Sequence, residues 1–146
     1  MTNLGKILIF LVDDDELLLK SLEIDLKQFE LVTVETYLTG EECLKMLSHK
    51  PDIIILDYHL DGIEKGAMNG LETLDKIKAY NPELPVIILS CQDLIEVAVD
   101  CMKHNAYDYI VKSETAFLRL QRSILSYFEY QKIQKTLNWY IEKFNF

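Results

Sequence analysis

The chain has 146 residues, 49% of them hydrophobic and 27% charged, with 24 Asp+Glu against 15 Lys+Arg and a formal net charge of −9. That is the size of one domain with a full hydrophobic core, and the composition excludes a chain disordered as a whole. The acidic balance argues against a nucleic-acid backbone as the main partner, because phosphates call for a basic patch, and it suits a divalent cation.

Short apolar runs with the look of buried strands occur at Ile7–Val12, Leu31–Val34, Ile53–Leu56, Val86–Leu89 and Tyr109–Val111. Helical spacing fills the intervals between them. Leu19, Leu22, Leu26 and Phe29 follow at steps of three, four and three. Thr39-Gly40-Glu41-Glu42 offers a capping box that opens a second helix. Leu71–Tyr80 is a third, ended by Asn81-Pro82, since proline cannot continue it. Asp93–His104 is a fourth, with Asn105 able to take the left-handed turn that closes it, and a fifth begins near Ser113-Glu114.

Five strand–helix units in strict alternation predict an α/β fold, a parallel sheet covered on both faces with right-handed crossovers. A dinucleotide-binding domain shares this rhythm, but Asp13-Asp14-Asp15 stands where GxGxxG would follow the first strand. No GxxxxGK[ST] occurs either, which argues against nucleotide binding. The cysteines, Cys43, Cys91 and Cys101, form no CxxC pair and leave one over in any disulfide scheme, so they read as reduced thiols of a cytoplasmic chain. Ile7–Val12 is too short for a signal or membrane helix, and no stretch approaches the roughly twenty apolar residues of a membrane span.

Ligands of open parallel sheets sit at the carboxyl ends of the strands, at the switch point of strand order. Here the first strand ends in Asp13-Asp14, the third in Asp57, the fourth in Ser90 and the fifth in Lys112. Three carboxylates crowded at one edge repel unless a cation joins them, and oxygen-only ligands favour Mg²⁺. Lys112 and Ser90 would then face the oxygens of a bound phosphoryl group. Each residue alone has a plainer reading: a strand-end Asp as a cap or turn residue, Lys112 as a solvated group, Ser90 as the N-cap of the fourth helix. Their order along the strand ends is what carries the functional reading.

The segments KILIFLVDDDE (6–16), DIIILDYHLDG (52–62), MNGLETL (68–74), PVIILS (85–90) and NAYDYIVKS (105–113) resemble the receiver domain of two-component response regulators, over about residues 5 to 128. The resemblance implies a flavodoxin-like (βα)5 fold with strand order 2-1-3-4-5. It gives a receiver domain over residues 1–128 and a helical extension over 129–146. It implies Asp57 as phosphoacceptor, and Asp13, Asp14, Asp57 and the backbone carbonyl of His59 as ligands of Mg²⁺ or Mn²⁺. Ser90 takes the hydroxyl switch position, Tyr109 the aromatic switch position and Lys112 the lysine position, while His59 and Gln92 fall where dephosphorylation is tuned. The implied partner is a sensor histidine kinase or phosphotransfer protein, and the implied output a change in the face of helix four, strand five and helix five.

The chain departs from that pattern in several places. Ser113 follows Lys112 where proline, often through a cis bond, is usual, and Asp61 stands where proline is common. The loop before Asn69-Gly70 is about five residues longer than usual, through Gly62-Ile63-Glu64-Lys65-Gly66-Ala67. Asp13 and Asp15 also form a DxD, the opening of haloacid-dehalogenase phosphatases, but that motif wants Thr or Val where Leu17 stands. A phosphate-independent interaction module is a further alternative. His49 and His104 have no partner at ligand spacing and read as surface groups, and packing explains Cys91 beside Ser90.

Helical spacing can run from Thr115 to Phe146 without Gly or Pro. Tyr130, Ile133, Leu137, Tyr140 and Phe144 form an apolar stripe that predicts a homodimer or effector contact, a fold-back onto the domain, or a linker to an output domain. Residues 1–112 hold 10 Lys+Arg and 21 Asp+Glu, against 5 and 3 in residues 113–146. Neither part is basic enough to predict direct DNA binding, and no membrane contact is expected.

Overall fold

The computed structural model describes residues 6–60, 62 and 66–144. Asp61, Ile63-Glu64-Lys65 of the long loop and Phe146 of the aromatic tail lie outside the described residues. Strands β1 (Ile7–Val12), β2 (Val32–Tyr37), β3 (Ile53–Asp57), β4 (Val86–Ser90) and β5 (Asp108–Val111) alternate with helices α1 (Glu16–Lys27), α2 (Gly40–Lys45), α3 (Gly70–Tyr80), α4 (Ile95–Lys103) and α5 (Ala116–Phe144). All strand pairs are parallel, in the order β2-β1-β3-β4-β5. The chain forms two compact units, residues 1–113 and 114–146. The boundary expected after residue 128 falls inside the continuous helix α5.

Burial follows position in the sheet. Every residue of the interior strands β3 and β4 is buried, as parallel strands with a neighbour on each side require. Edge strand β2 pairs only with β1 and has no fully buried residue. Its second half, Glu35-Thr36-Tyr37, is therefore free to be polar, which is why an apolar run located only its beginning. One sheet face gives Phe10, Val12, Ile54, Leu56, Val86 and Ile88 to the main core, where they meet Cys43, Leu47, Leu74, Ile77 and Cys101 from the connecting segments. On β1 and β2, α1 turns Leu19, Leu22 and Leu26 inward, and Phe29 lies past the helix end, exposed.

Local chemistry sets the helix ends. Asp15 accepts from the amides of Leu17 and Leu18 and so caps α1. Thr39 accepts from Glu42 N at 3.1 Å, while the Glu42 carboxylate reaches back to the amide of Leu38, one residue beyond the usual box partner. Asn69 caps α3 through Glu72 N at 2.9 Å. Helix α4 starts at Ile95, two residues after Asp93, because its capping position is Leu94, which carries no hydrogen-bonding side chain. Asn105 closes α4 at φ 70°. His49 and His104 make surface pairs, with Glu35 at 2.9 Å and Asp75 at 2.6 Å.

Helices α2 and α3 meet at Gly40, where an added Cβ would collide with the side chain of the fully buried Thr73. Thr73 cannot swing away freely, since its hydroxyl donates to Asn69 O at 2.7 Å. Gly40→Ala is therefore expected to cost about 1–3 kcal/mol in chemical denaturation, as overpacking does. Thr73→Ala in the same chain should recover part of that loss, and additive losses would show that the two sites are not in contact.

Candidate functional site

Strand register brings the predicted residues to one edge. Val12 is paired with Leu56, so Asp13 follows β1 beside Asp57, the last residue of β3. Asp57 is paired with Leu89 and Ser90 with Val111, which places Ser90 and Lys112 at the same end of the sheet. The order β2-β1-β3 makes the gap between β1 and β3 the switch point where open α/β sheets bind ligands.

Carboxylate oxygens of Asp13, Asp14 and Asp57 lie within 4.8 Å of one another. Asp13 and Asp57 are almost wholly buried, and Asp14 is half-buried at the rim. Lys112 Nζ stands 2.9 Å from Asp13 Oδ2 and 3.0 Å from Asp57 Oδ1. The contact with Asp57 has hydrogen-bond geometry, and the buried Asp13 Oδ2 has the Lys112 ion pair as its close polar contact. Asp13 Oδ1 is already used, accepting from Asp15 N at 2.9 Å.

One ammonium thus contacts two of the three carboxylates, and the electrostatics show the deficit. Burial, and then the charge of Asp13, raise the Asp57 carboxyl to about 7 despite the opposing pull of Lys112. The amide of His59 donates to the same carboxylate. Burial works to lower the Lys112 ammonium, but the bonds and charges of Asp13 and Asp57 outweigh it and raise it. An oxygen-rich pocket with surplus negative charge fits a small hard divalent cation.

A second group of predicted residues meets beside the first. Ser90 is fully buried, and its Oγ accepts from Gln92 N at 3.0 Å, so it caps a turn rather than α4. The Tyr109 hydroxyl donates to Gln92 O at 2.6 Å. The Gln92 side-chain amide lies 3.0 Å from Nε2 of His59, whose ring packs edge-on against Tyr58. Asp15, the second acid of the DxD, is exposed and caps α1, outside the carboxylate trio. Every described peptide bond is trans, Lys112–Ser113 included.

Three contacts at the site arise only from the fold. A Cβ at Gly62 would stand 2.8 Å from Asp14 Oδ2, so this glycine backbone lies close against the outer carboxylate. Gly70 lies so close under the Asp57 and Tyr58 carbonyls that any Cβ would clash, while its amide donates to Tyr58 O at 3.0 Å. Glu41 accepts from Met68 N at 3.2 Å, pinning the loop exit to α2. Gly70 was visible as part of MNGLETL; nothing in the spacing marks Gly62 or Glu41.

The model of the response regulator receiver domain matches residues 9–123. This chain belongs to that family. Receiver domains are signalling domains of two-component systems that work with histidine kinases or phosphotransfer proteins, and they bind Mg²⁺ through an acidic pocket. The receiver is 39% identical over 105 residues to an NtrX-like response regulator of Rickettsia felis, covering 71% of this chain and 21% of that protein. It is 33% identical over 129 residues to the DNA-binding transcriptional regulator NtrC of Escherichia coli, covering 86% of this chain and 26% of that one. The chain therefore spans about a quarter or less of these curated relatives. The receiver domain of NtrX from Brucella abortus superposes with a TM-score of 0.66 at 32% identity, over 83% of this chain and 95% of that domain.

The raised Asp57 carboxyl sets a pH dependence for the metal-free receiver. Its folded value lies above its unfolded one, so the folded state holds the extra proton between about pH 4 and 7. Stability from this group is present in acid and is lost as pH rises through about 7. In EDTA, Tm should fall over that interval, and Asp57→Asn should flatten the fall and raise Tm at pH 8. An unchanged slope in Asp57→Asn would place the titration elsewhere.

Proposed function

We propose that this receiver is a phosphorylation-activated switch of a phosphorelay, accepting a phosphoryl group on Asp57 from a sensor histidine kinase or phosphotransfer protein. The observation that carries this reading is a trio of carboxylates at the switch point of the sheet, two of them paired with Lys112. Asp13, Asp14, Asp57 and the His59 carbonyl would hold the metal. Mg²⁺, or Mn²⁺ in its place, supplies neutralising charge for the phosphoryl oxygens when bound.

The chain's own residues do the rest. An Asp57 carboxylate oxygen attacks phosphorus, the P–N bond of the phosphohistidine breaks, and the imidazole leaves with the bond's electron pair. Lys112, held against Asp57, supplies positive charge where the transferred oxygens arrive. Ser90 Oγ, which accepts from Gln92 N, has its own proton to donate to a phosphoryl oxygen, and moving to do so would strain the turn to which Tyr109 is bonded. Water later hydrolyses the acyl phosphate, with His59 and Gln92 at the approach to Asp57. The catalysis is limited to the domain's own transfer and dephosphorylation.

We assign the domain to the cytoplasm, and no described helix is long and apolar enough to cross a membrane. The DNA binding in NtrC's description belongs to that protein; for these 146 residues, with an acidic body, we assign no direct DNA contact.

Two experiments test the reading. A small phosphodonor with Mg²⁺ should label the wild-type chain and leave Asp57→Asn unlabelled by intact-mass spectrometry. Full labelling of that variant would sink the assignment, and an unlabelled wild type would favour a phosphate-independent module. Mg²⁺ needs the ionised carboxylate, so its affinity by calorimetry should weaken as pH falls below about 7. Gly62→Ala, which crowds Asp14 Oδ2, should weaken it at every pH. Equal affinities in Gly62→Ala and wild type would show that the loop gives way without disturbing Asp14.

A further inference from the structure

The second half of α5 carries an apolar repeat that the phosphoryl site does not use. Tyr130, Ile133, Leu137, Tyr140 and Phe144 follow at alternating steps of three and four, the a and d positions of a heptad. Their exposed fractions run from 49% to 64%, too much apolar surface on one stripe to be scattered residues. One heptad earlier the same positions hold Ser123 and Ser126, so the seam begins at Tyr130. A shallow groove follows it, lined by Glu129, Lys132, Ile133, Thr136, Leu137 and Tyr140.

The charges beside the seam select what covers it. The flanking g positions are Glu129, Thr136 and Lys143, and the e positions are Gln134 and Ile141. In a parallel pair g faces e of the next heptad, which sets Glu129 against Gln134 and Thr136 against Ile141, with no opposite charges meeting. In an antiparallel pair g faces g and e faces e. Setting Ile133 against Leu137 of a second copy sets Tyr130 against Tyr140. The flank then brings Glu129 opposite Lys143 of the second copy at both ends, with Thr136 and Gln134 each meeting its own counterpart. The two-fold axis falls at the level of Lys135, an outer f position, so no like charges are forced together. Sliding one heptad either way loses both Glu129–Lys143 pairs.

We propose that α5 pairs with α5 of a second copy of this chain as an antiparallel two-stranded coiled coil, in the register that joins Glu129 to Lys143. The pairing is independent of phosphorylation and is measured without phosphodonor. Sedimentation equilibrium of the full chain should show a dimer whose fraction grows with concentration. Leu137→Asp, at an exposed position of the single chain, should leave a folded monomer whose Tm no longer rises with protein concentration. Glu129→Lys should weaken the dimer about tenfold, and adding Lys143→Glu should restore it by exchanging the two charges. A monomer at all concentrations overturns the proposal, as does a dimer that survives Leu137→Asp. A dimer that ignores Glu129→Lys overturns the antiparallel register.

Discussion

The architecture of the site depends on one lysine shared between two of its three acids. Lys112 follows the last strand, yet its Nζ reaches Asp13 after the first and Asp57 at the end of the third. Its own backbone is tied down by a hydrogen bond from its N–H to Ser90 O at 2.7 Å. The contact therefore joins the carboxyl ends of β1, β3, β4 and β5 in one small network. It is an incomplete neutralisation, because burial magnifies the repulsion between Asp13 and Asp57 more than one cation offsets it. A group that carries positive charge into this pocket is favoured, and a proton on Asp57 is its nearest competitor. The same imbalance that destabilises the metal-free fold prepares the pocket for a cation.

Information can leave that network through a single residue. Gln92 uses its amide for Ser90 Oγ, its carbonyl for the Tyr109 hydroxyl and its side chain for His59. Moving Ser90 Oγ to donate to a new acceptor would stretch the first of those three restraints and with it the turn to which Tyr109 is bonded. Burial raises the Tyr109 phenol, so the hydroxyl stays protonated and can act only by moving. Two side chains far apart in sequence are thus coupled through a backbone, and a population shift needs no long pathway.

How much of this the sequence disclosed depended on whether the physical cause was local. Buried parallel strands need continuous apolar runs, so β1, β3 and β4 were legible, whereas β2 at the edge tolerates Glu35 and Thr36 and its end was not. The caps at Thr39 and Asn69 are local hydrogen bonds, and the left-handed turn at Asn105 is a local preference, so each could be read from a few residues. The convergence of Asp13, Asp14, Asp57, Ser90 and Lys112 was legible because strand ends in a parallel sheet share one edge by construction. Gly62 over Asp14, Gly70 under the Asp57 carbonyl and Gly40 against Thr73 are close approaches between separate segments. A glycine in the sequence records that space was needed, and only the fold says beside what.

The division of charge gives the two units different rules for meeting other molecules. Residues 1–112, with 21 acids against 10 bases, repel a second copy of themselves at low ionic strength. Residues 113–146, with 3 against 5, carry no such barrier, and their charges alternate in sign along the flank of an apolar seam. The proposed self-association therefore draws on α5, where apolar area and complementary charge coincide, and not on the acidic residues of the body.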